Sequence, residues 1–132
     1  MAYLRWKKSE TCVFNIAYHL IWCPKYRRKV LVGQVETRLK ELLVQKAEEI
    51  GVDIAQMEVM PDHVHLFVKT PPTLAPQFVV QQLKGYSSHI LREEFSQLAR
   101  MPSLWTRSYY CESVGHISEE TIRQYIEDQK NK

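Results

Sequence analysis

Between residues 35 and 50 the apolar side chains Leu39, Leu42, Leu43, Ala47 and Ile50 recur at three- and four-residue spacing, and Gly51 stands where a helix C-cap belongs. This predicts a first helix. Ahead of it, residues 13–22 are rich in aromatic and β-branched types and are closed by Pro24, the pattern of a strand ended by a proline. After it, residues 52–60 alternate loosely, Met60-Pro61-Asp62 supplies a tight turn, and residues 63–70 alternate cleanly. These two stretches predict a hairpin. Because strand side chains alternate, Val64, Leu66 and Val68 share one face, and His63, His65, Phe67 and Lys69 share the other.

Pro71-Pro72 ends the hairpin, and Pro76 suits the first turn of a second helix carrying Phe78, Val79, Leu83, Tyr86, Ile90 and Leu91. Residues 100–103 read as a loop. A further strand is expected within 105–114, around Tyr109-Tyr110-Cys111, with Gly115 at its end. Ser118 is a suitable N-cap, Glu119 and Glu120 favour the positive end of a helix dipole, and Ile117 with Ile122 fits a hydrophobic staple. A last helix is therefore expected to about Gln129. The order strand, helix, strand, strand, helix, strand predicts a ferredoxin-like α+β fold, an antiparallel sheet with helices and an appended C-terminal helix. At 132 residues, without repeats or linkers, the chain is read as one domain over 1–132.

Composition adds little beyond a folded, soluble class: 45% apolar and 25% charged residues exclude a disordered or fibrous chain. The net charge of +3 is small, so the distribution of charge matters more. Lys25-Tyr26-Arg27-Arg28-Lys29 gathers four cations around one aromatic, and Arg5, Lys7 and Lys8 form a second basic cluster. Cys12, Cys23 and Cys111 form no CxxC pair and are odd in number, which points to reduced thiols. With no signal-like or membrane-length apolar run, a cytoplasmic protein with no membrane association is expected.

Two constellations carry candidate chemistry. His63 and His65, two apart on a strand, have Cβ atoms roughly 6.7 Å apart, a spacing from which two imidazoles can converge on one ion. The alternative is a pair of half-exposed, hydrogen-bonded strand residues. Tyr125 and Gln129 are four apart and so share one helical face, about 5–6 Å from each other. By spacing alone, Tyr125 is more often a core aromatic with its hydroxyl hydrogen-bonded, and the spacing does not identify a nucleophile. Asp62 is read as a turn residue rather than as an acceptor for the neighbouring imidazole. His19, His89 and His116 receive no chemical role, and His19 is read as a structural or DNA-facing residue.

Four stretches, in order, make the chain resemble the insertion sequence 200/605 family of transposases, small members of the single-tyrosine HUH nucleases. They are His19-Leu20-Ile21-Trp22-Cys23-Pro24-Lys25-Tyr26-Arg27, Met60-Pro61-Asp62-His63-Val64-His65-Leu66, Leu83-Lys84-Gly85-Tyr86-Ser87-Ser88, and Thr121-Ile122-Arg123-Gln124-Tyr125-Ile126-Glu127-Asp128-Gln129. The resemblance implies His63, His65 and Gln129 as ligands of a divalent ion, Mg²⁺ or Mn²⁺, and Tyr125 as a nucleophile carried on the appended helix. It also implies a homodimer acting on single-stranded DNA hairpins at transposon ends. For DNA contact the residues expected are Lys25, Arg27, Arg28, Lys84 and Arg107, with Tyr26 and Tyr86 as stacking surfaces. Two other readings stay open on the sequence: a ferredoxin-like nucleic-acid-binding module without catalysis, and a zinc hydrolase using His63, His65 and Cys111.

Overall fold

The computed structural model describes residues 7–8, 13–114 and 127. Two short antiparallel strands, β1 (Lys7–Lys8) and β2 (Val13–Phe14), pair with each other. They precede β3 (Ile16–Trp22), a 3-10 turn (Lys25–Arg27), and α1 (Gly33–Ile50). The hairpin follows as β4 (Asp53–Met60) and β5 (His63–Thr70), then α2 (Pro76–Glu94), α3 (Ser96–Ala99) and β6 (Tyr110–Val114).

The four longer strands form one antiparallel sheet in the order β4-β5-β3-β6, the ferredoxin-like arrangement expected. The strand expected over 13–22 is divided at Asn15: Phe14 pairs with Lys7 of β1, whereas Ile16 pairs with Thr70 of β5. Two neighbouring residues recruited by different sheets cannot continue one ladder. The expected C-terminal helix over 118–129, with Tyr125 and Gln129, lies outside the described residues.

Both long helices cover one face of the sheet. Leu20 and Trp22 from β3 and Val64, Leu66 and Val68 from β5 meet Leu39, Leu42 and Leu43 of α1 and Val79, Leu83 and Leu91 of α2 in one core. Each of these side chains contributes about 1.5–3 kcal/mol through removal from water. Phe78, expected on the apolar stripe of α2, is exposed instead, and Val80 occupies the buried position beside Val79. The helix runs on to Glu94, and α3 was not foreseen from the sequence. It forms because Phe95 turns extended and the next turn brings Leu98 back into the core. Arg38 of α1 makes a paired ion bridge to Glu94 of α2 at 2.9 and 3.0 Å, but solvent screens the exposed pair and leaves it a minor contribution. The apolar contact is what joins the helices.

Gly51 ends α1 in the left-handed region at φ 80°, and Val52 N–H donates to Ala47 O at 2.8 Å, closing a Schellman-type cap. Among the described residues no helix is long and apolar enough to cross a membrane.

Leu20→Ala, which empties a fully buried site in an inner strand, is expected to cost about 2–5 kcal/mol in equilibrium denaturation. Gly51→Ala meets no atom within 4 Å and so carries only the backbone penalty, about 1 kcal/mol, in the same measurement.

Candidate functional site

The face of the sheet away from the helices carries the candidate chemistry, and its geometry starts at the hairpin turn. Met60 pairs with His63 across Pro61-Asp62, so the first residue of β5 stands directly beside the aspartate. His63 Nδ1–H donates to Asp62 Oδ1 at 2.6 Å, while Arg27 Nη2 donates to Asp62 Oδ2 at 2.9 Å. Burial pushes the Asp62 carboxyl up, but His63 and Arg27 together outweigh it and hold it below the usual carboxylate range. Asp62, read from the sequence as a turn-former, thus makes the turn and also orients His63. In the neutral ring with its proton directed to Asp62, Nε2 of His63 is the nitrogen that carries the lone pair.

His65 lies two residues on and on the same face, its ring centroid 4.6 Å from that of His63 in an edge-to-face arrangement. It is only 4% exposed, paired across the sheet with Glu58 of β4 and Ile21 of β3. Burial, reinforced by His63 and His19, pushes its pKa down to about 4. The ring is therefore neutral at neutral pH, the form in which imidazole binds metals. Behind it stands His19 of β3, fully buried, with Nε2 at 3.4 Å from His65 Nδ1. Burial lowers the His19 pKa as well, partly offset by Glu112.

The residues present fit a divalent ion on two counts. Nδ1 of each ring is engaged, by Asp62 for His63 and by His19 for His65, and Nε2 of each has no hydrogen-bond partner among the described residues. Imidazoles anchored through one nitrogen and open at the other are the usual form of a metal ligand pair. Among the described residues no third His, Cys, Asp or Glu completes a cluster with them. Cys111 is not that ligand. Its register partner is Leu20, a core residue, so it lies on the opposite face from His65, and the zinc reading with His63, His65 and Cys111 fails on strand parity.

The basic segment after β3 is folded against the hairpin turn. Tyr26 and Arg27 both adopt left-handed backbone, φ 60° and 52°, at about 1–2 kcal/mol each for residues with a Cβ. Backbone bonds hold the hook: Lys25 N to Leu104 O at 2.8 Å, Arg27 N to Pro24 O at 2.8 Å, and Leu31 N to Pro61 O at 3.0 Å. The result is a Tyr26 ring 71% exposed, with Lys25 Nζ 5.3 Å and the Arg28 guanidinium 5.7 Å from its centroid. Lys25, Tyr26, Arg27 and Arg28 therefore sit at the end of the sheet that carries His63.

The other expected contacts are placed differently. Lys84 Nζ donates to Thr106 O at 2.6 Å and Ser108 O at 3.3 Å, bracing the loop on which Arg107 is exposed, and burial lowers its pKa. Tyr86 lies on the helix layer, its hydroxyl donating to Gln45 Oε1 at 3.0 Å beneath Lys46, on the side of the sheet opposite the histidines. Sequence reasoning missed His19. Its only signal was parity in β3, and parity does not reveal which neighbour a ring meets.

The family model described as "Transposase IS200 like" matches residues 12–129. The ISDra2 transposase TnpA of Deinococcus radiodurans is 40% identical over 132 residues, 98% of this chain and 94% of the relative. A candidate transposase from Deinococcus radiodurans R1, known from a crystal structure, superposes with TM-score 0.77 at 37% identity over 93% of this chain and 97% of that one. A REP-associated tyrosine transposase solved with a REP hairpin shares the fold, with TM-score 0.65 and 12% identity over 90% of this chain and 67% of that one. With both the family model and a 40% identical relative extending over almost all of its length, this chain belongs to the IS200-like transposase family.

Proposed function

We propose that this transposase cuts and rejoins single-stranded DNA at the ends of a mobile element through a covalent 5′-phosphotyrosine on Tyr125. His63, His65 and Gln129 would hold the divalent ion, Mg²⁺ or Mn²⁺. The observation that carries the reading is the imidazole pair itself, two rings side by side, each engaged at Nδ1 and without a hydrogen-bond partner at Nε2 among the described residues. When bound, the ion supplies charge neutralisation and alignment at the scissile phosphate.

The chain's own residues do the rest. A phenol has an ordinary pKa of about 10, so Tyr125 needs the phosphate presented in line before its oxygen can attack. Its Oη–phosphorus bond forms as the phosphorus–O3′ bond breaks. The phenolic proton is given up, and the departing 3′ oxygen takes a proton to leave as a hydroxyl. The phosphodiester is exchanged for a phosphotyrosine rather than hydrolysed, so a second 3′-hydroxyl can reverse the step at a new junction. Excision needs two cuts and each chain offers one such nucleophile, which favours a homodimer. Lys25, Tyr26, Arg27 and Arg28 extend a basic, aromatic hook beside His63, suited to a phosphate backbone and an unpaired base. Binding of a hairpin by the fold neighbour supports a hairpin substrate.

Incubated with labelled single-stranded element ends and Mn²⁺, the wild-type protein should yield an SDS-resistant conjugate, and Tyr125→Phe should yield none while its circular dichroism stays unchanged. His63→Ala or a chelator should suppress the conjugate as well. A conjugate persisting undiminished in Tyr125→Phe rejects the assignment. For the hook, Arg28→Ala tests DNA contact more cleanly than a change at Arg27, which is also tied to Asp62. It is expected to weaken hairpin binding and reduce the salt slope of log K by about 1, and an unaltered slope removes Arg28 from the contact surface.

A further inference from the structure

The hydrogen bonding behind the two candidate ligands is unlike. His63 is backed by a carboxylate at the surface of the turn, the arrangement commonly found behind metal-binding imidazoles. His65 is backed by a second imidazole, His19, from the neighbouring strand. The two rings are stacked with centroids 5.6 Å apart and planes 24° apart, and His19 Nε2 lies 3.4 Å from His65 Nδ1. His19 is 0% exposed on a stretch of β3 whose same-face neighbours are Ala17 and Ile21. Packing alone would be better served there by leucine or phenylalanine, because an imidazole gives up its hydration on burial and recovers it only through specific partners.

From this geometry we infer that His19 is a positioning residue for His65, setting its tautomer and ring orientation so that Nε2 is the nitrogen left for an ion. The inference rests on the reading of His63 and His65 as a ligand pair. If Nε2 of His65 is to donate a lone pair, the ring's single proton sits on Nδ1. At 4% exposure that N–H has little access to water, and the acceptor within reach of it is His19 Nε2 at 3.4 Å. His19 must then itself be protonated at Nδ1, so the two rings have matched tautomers.

The strand register produces this contact diagonally. Position 19 pairs with Phe67 and position 21 with His65, so the His19 ring reaches across to the residue beside its own pair, a distance aromatic side chains span in a twisted sheet. Phe67 stacks on His19 at 6.5 Å and Tyr110 meets it edge-on at 6.4 Å, so the ring is packed on more than one side. His19 touches neither substrate nor ion in this scheme. Its effect passes entirely through His65.

The test begins with the metal-free wild type, labelled with ¹⁵N in its imidazoles and observed by long-range proton–nitrogen correlation. His65 protonated at Nδ1 and His19 unprotonated at Nε2 is expected, and a His65 proton on Nε2 overturns the inference whatever the metal does. Binding of Mn²⁺ alone, followed by electron paramagnetic resonance of the free ion, is then compared in His19→Gln and His19→Phe. The glutamine amide oxygen can stand near the position of Nε2 and should keep affinity close to wild type. Phenylalanine keeps the ring without the acceptor and should bind about 10–100-fold more weakly. Equal affinity of His19→Phe and wild type also overturns it. Should the wild type fail to bind Mn²⁺ at all, the ligand-pair reading is what falls, and the tautomer measurement still decides the His19–His65 contact. Thermal melting of each variant without Mn²⁺ separates a folding defect from a ligand-orientation effect, and if His19→Phe does not fold the wild-type spectrum decides alone.

Discussion

The alternation of β5 is the constraint on which everything else in this molecule depends. Val64, Leu66 and Val68 lie under the helices, and His63, His65, Phe67 and Lys69 lie on the other face, because successive strand residues point opposite ways. A slip of one residue would drive both histidines into the apolar core and expose three aliphatic side chains. The register is held from both sides, by Glu58 and Met60 of β4 and by His19, Ile21 and their neighbours of β3. The one irregularity, between Ile54 and Gln56, lies toward the far end of β4 from the hairpin turn and leaves the turn-proximal pairs intact. Core formation and site formation are therefore one event.

Around that register, polar groups at the turn and behind His65 compensate one another's removal from water. Asp62 sits between Arg27 and His63, and its carboxylate is favoured by both despite its partial burial. His65 and His19 are both driven toward the neutral form by burial, which suits a ligand imidazole and its acceptor alike. The left-handed backbone at Tyr26 and Arg27 is held in place by hydrogen bonds to Pro24, Leu104 and Pro61 around it. Its effect is to aim Arg27 at Asp62 and leave the Tyr26 ring facing solvent between two cations. A basic surface segment and a buried histidine pair, separate in sequence, thereby become neighbours through one aspartate.

Much of this was readable from the residues. The three- and four-residue spacing of Leu39, Leu42 and Leu43 announced α1, Gly51 its end, Pro76 the start of α2, and clean alternation from His63 the second hairpin strand, because each is a local preference acting within a few residues. α3 was not readable, since its single buried anchor, Leu98, is held by a core assembled from distant elements. The break at Asn15 depended on which sheet claimed each neighbour, and the exposure of Phe78 on how α2 is rotated over the sheet.

The ferredoxin-like order of elements, the shared face of His63 and His65, and, through its ordered motifs, the transposase family were legible in the residues alone, because all depend on period, spacing and residue type. That Cys111 lies on the opposite face, that Tyr86 bonds Gln45 within the helix layer, that Asp62 clamps both Arg27 and His63, and that His19 stands behind His65 emerged from the packed fold. Those facts turn on which strands become neighbours and at what register, and that outcome is settled by burial of the whole core rather than by any local run of residues.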